Sequence, residues 1–138
     1  MQATATYPAP APAAGAVRWT GRVLSALVVL FLLFDGLIKV VELPVVGETL
    51  VQLGYPPGLG FGLGVLTLAI ALLYAWPRTA LLGAVLLTGL LGGAIATHLR
   101  VGSPLFSHLL FGVYIGLMAW GGLILRDHRL RELLPLRR

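Results

Sequence analysis

Four long apolar stretches alternate with short polar segments along this chain. They cover about residues 23–41, 59–76, 79–99 and 105–125. Each is close to the roughly 20 residues that a membrane-spanning helix needs. The pattern therefore predicts an all-α fold, a bundle of four transmembrane helices that occupies residues 18–126.

The two ends of the chain differ from this apolar domain. Residues 1–17 are rich in Ala and Pro and carry no charge, which predicts a disordered tail. Residues 127–138 hold four arginines and two acidic side chains, which predicts a short basic tail that contacts lipid headgroups.

Composition supports an integral membrane protein whose main partner is the lipid bilayer. The chain is 58% hydrophobic and only 11% charged, whereas about 25% of the residues in soluble domains are charged. The net charge of +5 comes from residues that flank apolar stretches, so no nucleic-acid partner is expected. The chain has no cysteine, and its three histidines share no zinc-like spacing, so we expect no metal site.

The basic residues predict the orientation of the spans. With four spans, both termini and the loop between the second and third spans lie on one side. That side carries eight of the ten basic residues: Arg18, Arg22, Arg78, Arg126, Arg129, Arg131, Arg137 and Arg138. The positive-inside rule then places both termini in the cytoplasm.

Polar side chains inside the apolar stretches gather toward the opposite, outer side. The segment FDGLIKV (34–40) places Asp35 and Lys39 one helical turn apart, although a charge near the centre of a span costs about 2.5–3.5 kcal/mol. The third span ends with polar residues, and the fourth begins with one. The candidate ligand-binding residues are Asp35, Lys39, Thr97, His98, Arg100 and His108.

Two interpretations of these residues stay open. In the first, Asp35 pairs with Lys39 or with Arg100 and only fixes how the helices pack. In the second, the six side chains line a pocket for a small ligand, such as a quinone headgroup or a lipid. The G-x-x-x-G patterns at Gly89–Gly93 and Gly112–Gly116 predict helix-packing faces, and such glycine-rich faces could also support a homo-oligomer.

Several segments resemble the DoxX-like family of small bacterial membrane proteins. They are FDGLIKV, the proline at 44, LGYPP (53–57), LLYAWPRTALLGAVLLTGLLGGAIATHLR (72–100) and the short charged tail. The resemblance implies a compact four-helix membrane protein in the bacterial inner membrane. The resemblance does not define an activity, because none is established for this branch of the family. Relatives are linked with quinone-dependent redox complexes or with assembly roles.

These observations lead to three hypotheses for function. The first is a binding or accessory protein with a polar pocket in the outer half of the bundle. The second is a membrane subunit of a quinone-linked oxidoreductase complex, which would need a bound quinone or a redox partner protein because the chain lacks redox-active side chains of its own. The third is a small transporter or proton relay through Asp35 and His98.

Overall fold

The structure, a computed structural model, describes residues 12–134, which are mostly helical and contain no strand. The all-α prediction is therefore confirmed. The helices are α1 (Pro12–Val40), α2 (Pro44–Gln52), α3 (Leu59–Ala75), α4 (Ala80–Arg100), α5 (Leu110–Arg126) and α6 (His128–Leu133). A π-helical turn, Leu105–Leu109, leads directly into α5.

Helix α1 begins earlier than the sequence pattern suggested. Residues 12–17, which fall in the predicted disordered tail, form its first turns. Proline at a helix start loses no hydrogen bond, and the alanines that follow have the highest helix propensity of all residues, so this segment can extend the apolar helix backwards. The rest of the predicted tail, residues 1–11, lies outside the described range.

Among the residues that the structure describes, three helical segments are long and apolar enough to cross a membrane: Gly15–Val40, Ala80–Arg100 and Leu105–Arg126. They correspond to the first, third and fourth predicted spans. The second predicted span is α3, an apolar helix of 17 residues. At 1.5 Å per residue it is about 26 Å long.

The four longest helices pack against one another as antiparallel neighbours. Helices α3 and α5 each contact both α1 and α4. The start of α1 lies beside the end of α5, where Gly21 approaches Gly122, and the end of α1 lies beside the start of α3, where Lys39 approaches Gly64. The chain therefore runs up and down between two ends.

We name these ends by their residues. The arginine end holds Arg18, Arg22, Arg78, Arg126, Arg129 and Arg131. The cavity end holds Asp35, Lys39, α2, the end of α4 and the π-helical turn. The separation of charge predicted from the sequence is thus present in the fold.

The core consists of side chains from α1, α3, α4, α5 and α6. It contains Val28, Leu32, Ile70, Ala71, Tyr74, Ala80, Ala84, Leu87, Ala119, Leu123 and Leu130. Large apolar side chains also cover the outside, including Leu30, Phe34, Leu72 and Leu117. A soluble monomer rarely exposes such continuous apolar area, whereas a bilayer would cover it.

The two glycine patterns behave differently. A Cβ atom on Gly112 would lie 3.0 Å from Cγ1 of Ile95, so this glycine lets α5 approach α4 as predicted. Gly89 and Gly93 are exposed, and a Cβ atom on either would meet nothing within 4 Å. The prediction that they form a packing face inside the chain is wrong. Larger side chains on the other face of α4, such as Leu87, bury more apolar area and occupy the interior.

Candidate functional site

Asp35 and Lys39 form an ion pair near the end of α1. Of the two partners considered for Asp35, the structure shows Lys39 and not Arg100. Both side chains are 26% exposed, and α3 covers them in part because Gly64 has no side chain. A Cβ atom there would lie 2.8 Å from Cβ of Lys39. Because both side chains are partly buried, removal of either one would leave the other as an unpaired charge and destabilise the protein.

A cavity of about 240 Å³ lies beside this ion pair, where α1, α2 and α3 meet. It is lined by Lys39, Glu42, Leu43, Pro44, Val46, Gly47, Pro57, Gly58 and Gly60. Lys39 is the only cation among these residues and Glu42 the only anion. The other lining residues are apolar or glycine, so a ligand here would lie beside one basic and one acidic residue in otherwise apolar surroundings.

Arg100 and Thr97, at the end of α4, hold the segment that joins α2 to α3. Arg100 donates a hydrogen bond from Nη2 to the carbonyl oxygen of Leu53 (2.8 Å), and its guanidinium carbon lies 5.9 Å from the ring centroid of Tyr55. Thr97 donates to the carbonyl of Gly93, so its hydroxyl oxygen accepts the proton of the Tyr55 hydroxyl across 2.9 Å. These two contacts connect α4 to a loop that is distant in sequence.

His98 and His108 form a third group. Their ring centroids are 5.2 Å apart, and the rings are tilted by 57°. Nδ1 of His98 lies 3.0 Å from the Ser103 hydroxyl, and Nδ1 of His108 lies 2.7 Å from the Ser107 hydroxyl. Over residues 12–134 no cluster of three or more metal-ligating side chains occurs. The two imidazoles alone supply fewer protein ligands than a tetrahedral metal site uses.

The structure therefore brings all six predicted residues to one end of the molecule but divides them into three groups. Within residues 12–134, no hydrogen bond or ion pair links the Asp35–Lys39 pair to the groups on α4 and the π-helical turn. Sequence reasoning missed the role of Tyr55. An aromatic residue inside the turn-forming segment GYPPG was the signal that could have indicated it.

A separate polar network, which the sequence did not reveal, lies near the arginine end. Tyr74 is fully buried, and its hydroxyl donates to the carbonyl of Ala119 (2.6 Å) while it accepts from the Ser25 hydroxyl (3.1 Å). Arg126 donates to the carbonyl of Tyr74 (3.1 Å) and lies over its ring at 5.1 Å. The network joins α1, α3 and α5, and every polar side-chain atom buried in the described range has a partner.

The apolar exterior, the three described helical segments long enough to span a bilayer and the charged side chains confined to the two ends indicate a multi-pass helical membrane protein. The model of the DoxX-like family matches residues 23–122, which is more than half of the chain, and the protein belongs to that family. No curated protein and no solved structure matches the chain.

Proposed function

We propose that this protein crosses the bacterial inner membrane four times and binds a small amphipathic ligand in the cavity beside Lys39. The spans in this proposal are α1, α3, α4 and α5, and both termini lie in the cytoplasm. The arginine end would then face the cytoplasm, in agreement with the positive-inside rule, and the cavity would lie in the outer half of the membrane.

The observation that carries the proposal is a lysine on the wall of a partly open cavity whose other lining residues, apart from Glu42, are apolar or glycine. A lysine in such a place can donate hydrogen bonds to a carbonyl, a carboxylate or a phosphate group. Asp35 would hold the Lys39 side chain in position through their ion pair.

The size of the cavity limits what could fill it. Its 240 Å³ lies below the roughly 300–1,000 Å³ of pockets that enclose drug-sized ligands. A quinone ring or the headgroup of a lipid is of suitable size, whereas an acyl or isoprenoid chain would have to lie outside. Exposed apolar side chains next to the cavity, Val41 and Leu59 among them, offer a surface for such a chain.

The other candidate residues have a smaller part in this proposal. Thr97, His98, Arg100 and His108 already hydrogen-bond to other residues of the protein, so their role as ligand-binding residues stays a prediction. The same is true of the two alternative functions, a subunit of a quinone-linked oxidoreductase and a transporter or proton relay.

The test is to identify what co-purifies with the protein. The full chain would be purified in mild detergent, and its lipids and quinones would be extracted and measured by mass spectrometry. We expect one lipid or quinone class to be enriched over bulk membrane extract. The double variant Asp35→Asn/Lys39→Met should reduce that enrichment about tenfold, because a hydrogen bond to a charged group contributes about 1.5–3 kcal/mol.

The double variant removes both charges, so no unpaired charge stays buried and the fold should persist. Arg78→Gln, at the arginine end, is the control and should leave the enrichment unchanged. The proposal fails if the wild-type protein carries nothing above bulk extract, or if the folded double variant retains the same ligand at the same level.

A further inference from the structure

Helix α2 is a short element bounded by two unusual backbone positions. Glu42, just before it, has φ +54°, and Gly54, just after it, has φ +83°. Glycine adopts this left-handed conformation readily, whereas a glutamate does so only when its surroundings enforce it. The chain therefore changes direction sharply on both sides of the nine-residue helix.

Only a small part of α2 is buried. Val46 and Leu50 pack onto α3 at Gly60, where a Cβ atom would lie 2.9 Å from Cγ1 of Val46. The opposite face of α2 exposes Val45 and Val51. An element with so little buried area opens at low free energy compared with the core helices.

The same helix forms one wall of the cavity. Pro44, Val46 and Gly47 face the space beside Lys39, and Pro57, Gly58 and Gly60 close it from the α3 side. If α2 moved away from Gly60, the contact between Val46 and Gly60 would break and the cavity would open at that point.

The contacts from α4 act on the far end of this helix. Leu53 directly follows α2, and its carbonyl is the acceptor for Arg100. Tyr55, two residues later, is held by Thr97 and lies beneath the same guanidinium. Both contacts come from outside the α1–α2–α3 unit that surrounds the cavity, so they fix the position of α2 without touching the cavity itself.

We infer that α2 is a movable cover of the cavity and that Arg100 and Tyr55 are positioning residues that hold it closed. Hydrogen bonds from the backbone N–H groups of Gly54 and Tyr55 to the last turn of α2 make both residues part of the cover. The cover turns about Glu42 and the residues that follow Tyr55 when the contacts with α4 break, and the gap then opens between Val46 and Gly60. This inference rests on the proposed function, since the cavity is the proposed ligand site. It gives Arg100 and Thr97 a role at that site without direct contact with a ligand.

The absence of cysteine from the chain provides a direct test. Val46→Cys places a thiol on the buried face of α2, where the native side chain is 9% exposed. Its rate of labelling by a water-soluble maleimide would be measured on the full chain in detergent. We expect Arg100→Gln to raise that rate about tenfold, since a hydrogen bond from a charged donor is lost. Tyr55→Phe should give a smaller increase, and Arg100→Lys, which can still donate, should restore slow labelling.

Two further thiols separate opening of the cover from unfolding. Val51→Cys, on the exposed face of α2, should react rapidly whether or not Arg100 is present. Leu87→Cys, in the core at 1% exposure, should stay unreactive in both backgrounds. Thr97→Val removes the acceptor of Tyr55, together with the local bond from Thr97 to the Gly93 carbonyl, and serves as a second variant if Arg100→Gln does not fold.

The inference is overturned if Val46→Cys reacts at the same rate with and without Arg100 in the folded protein. It is also overturned if Leu87→Cys becomes reactive in parallel, because the whole protein would then be loosening. The labelling needs no ligand, so its outcome is independent of the co-purification experiment. If the protein carries no ligand but its labelling depends on Arg100, the ligand proposal is refuted and the inference that α2 moves is supported.

Discussion

At the scale of single residues, the polar groups of this protein fall into two kinds. The spacing of Asp35 and Lys39 predicted their contact, because residues four apart share a helix face. Tyr74 could not be recognised in the same way. It stands in a uniformly apolar run, and its partners, Ser25 and Ala119, are far away in sequence. Local patterns reveal contacts within one helix, whereas contacts between helices depend on how those helices pack.

Removal of the Tyr74 hydroxyl should destabilise the protein. Tyr74→Phe leaves Ser25 without its partner and removes a bond that joins α3 to α5. We expect a loss of about 1–2 kcal/mol in the free energy of unfolding, measured by denaturant titration in detergent. Tyr114→Phe is the matched control, because Tyr114 is 49% exposed on α5. Equal stability of the two variants would contradict a structural role for the buried network.

At the scale of helices, the apolar pattern located the long elements well but missed α2. Its sequence, PVVGETLVQ, contains β-branched residues and a glycine, which are weak helix formers, and only two of its side chains are buried. The face of each helix was harder to predict than its position. Glycine spacing favoured Gly93 as a packing position on α4, whereas the closest approach of α4 to a neighbouring helix is at Gly83, where a Cβ atom would meet the backbone of Tyr74 on α3.

Another close approach is at Gly122, where α5 crosses α1. A Cβ atom on Gly122 would lie 2.6 Å from Oγ and 2.9 Å from the backbone nitrogen of Ser25. Gly122→Ala should therefore push the two helices apart and destabilise the protein by about 1–3 kcal/mol. Gly93→Ala, also within a helix but facing open space, should have a neutral or slightly stabilising effect. Thermal unfolding of the two variants compares them, and an equal loss of stability would refute the assignment of Gly122 to the crossing.

At the scale of the whole molecule, charge is distributed between the two ends in the way the sequence indicated. Connectivity and apolar length determine this arrangement, and both can be deduced without coordinates. What could not be deduced was the division of the polar cavity end into three groups, because α1 has its main contacts with α3 and α5 and not with α4. For this reason the candidate site includes fewer of the predicted residues than the six that the sequence indicated.

The proposed orientation can be tested in intact cells with single cysteines. Glu48→Cys, exposed on α2 at the cavity end, should react with a membrane-impermeant maleimide added outside. His128→Cys, exposed at the arginine end, should react only after the membrane is permeabilised. The reverse pattern would invert the orientation, and reaction of both thiols in intact cells would exclude four spans.

In the proposed four-span arrangement, the shortness of α3 has a consequence for the lipids around the protein. At about 26 Å it falls a few ångström below the roughly 30 Å of a typical hydrocarbon layer, while its exposed side chains, Phe61 and Leu72 among them, face outward. Lipid chains against this flank must shorten or disorder to match it, whereas those against the longer α1 and α4 need not. We therefore expect the lipid layer around the protein to be thinner beside α3 than beside α1 and α4. Short-chain lipids would be favoured on that side, and other membrane proteins with similarly short spans would be attracted to it.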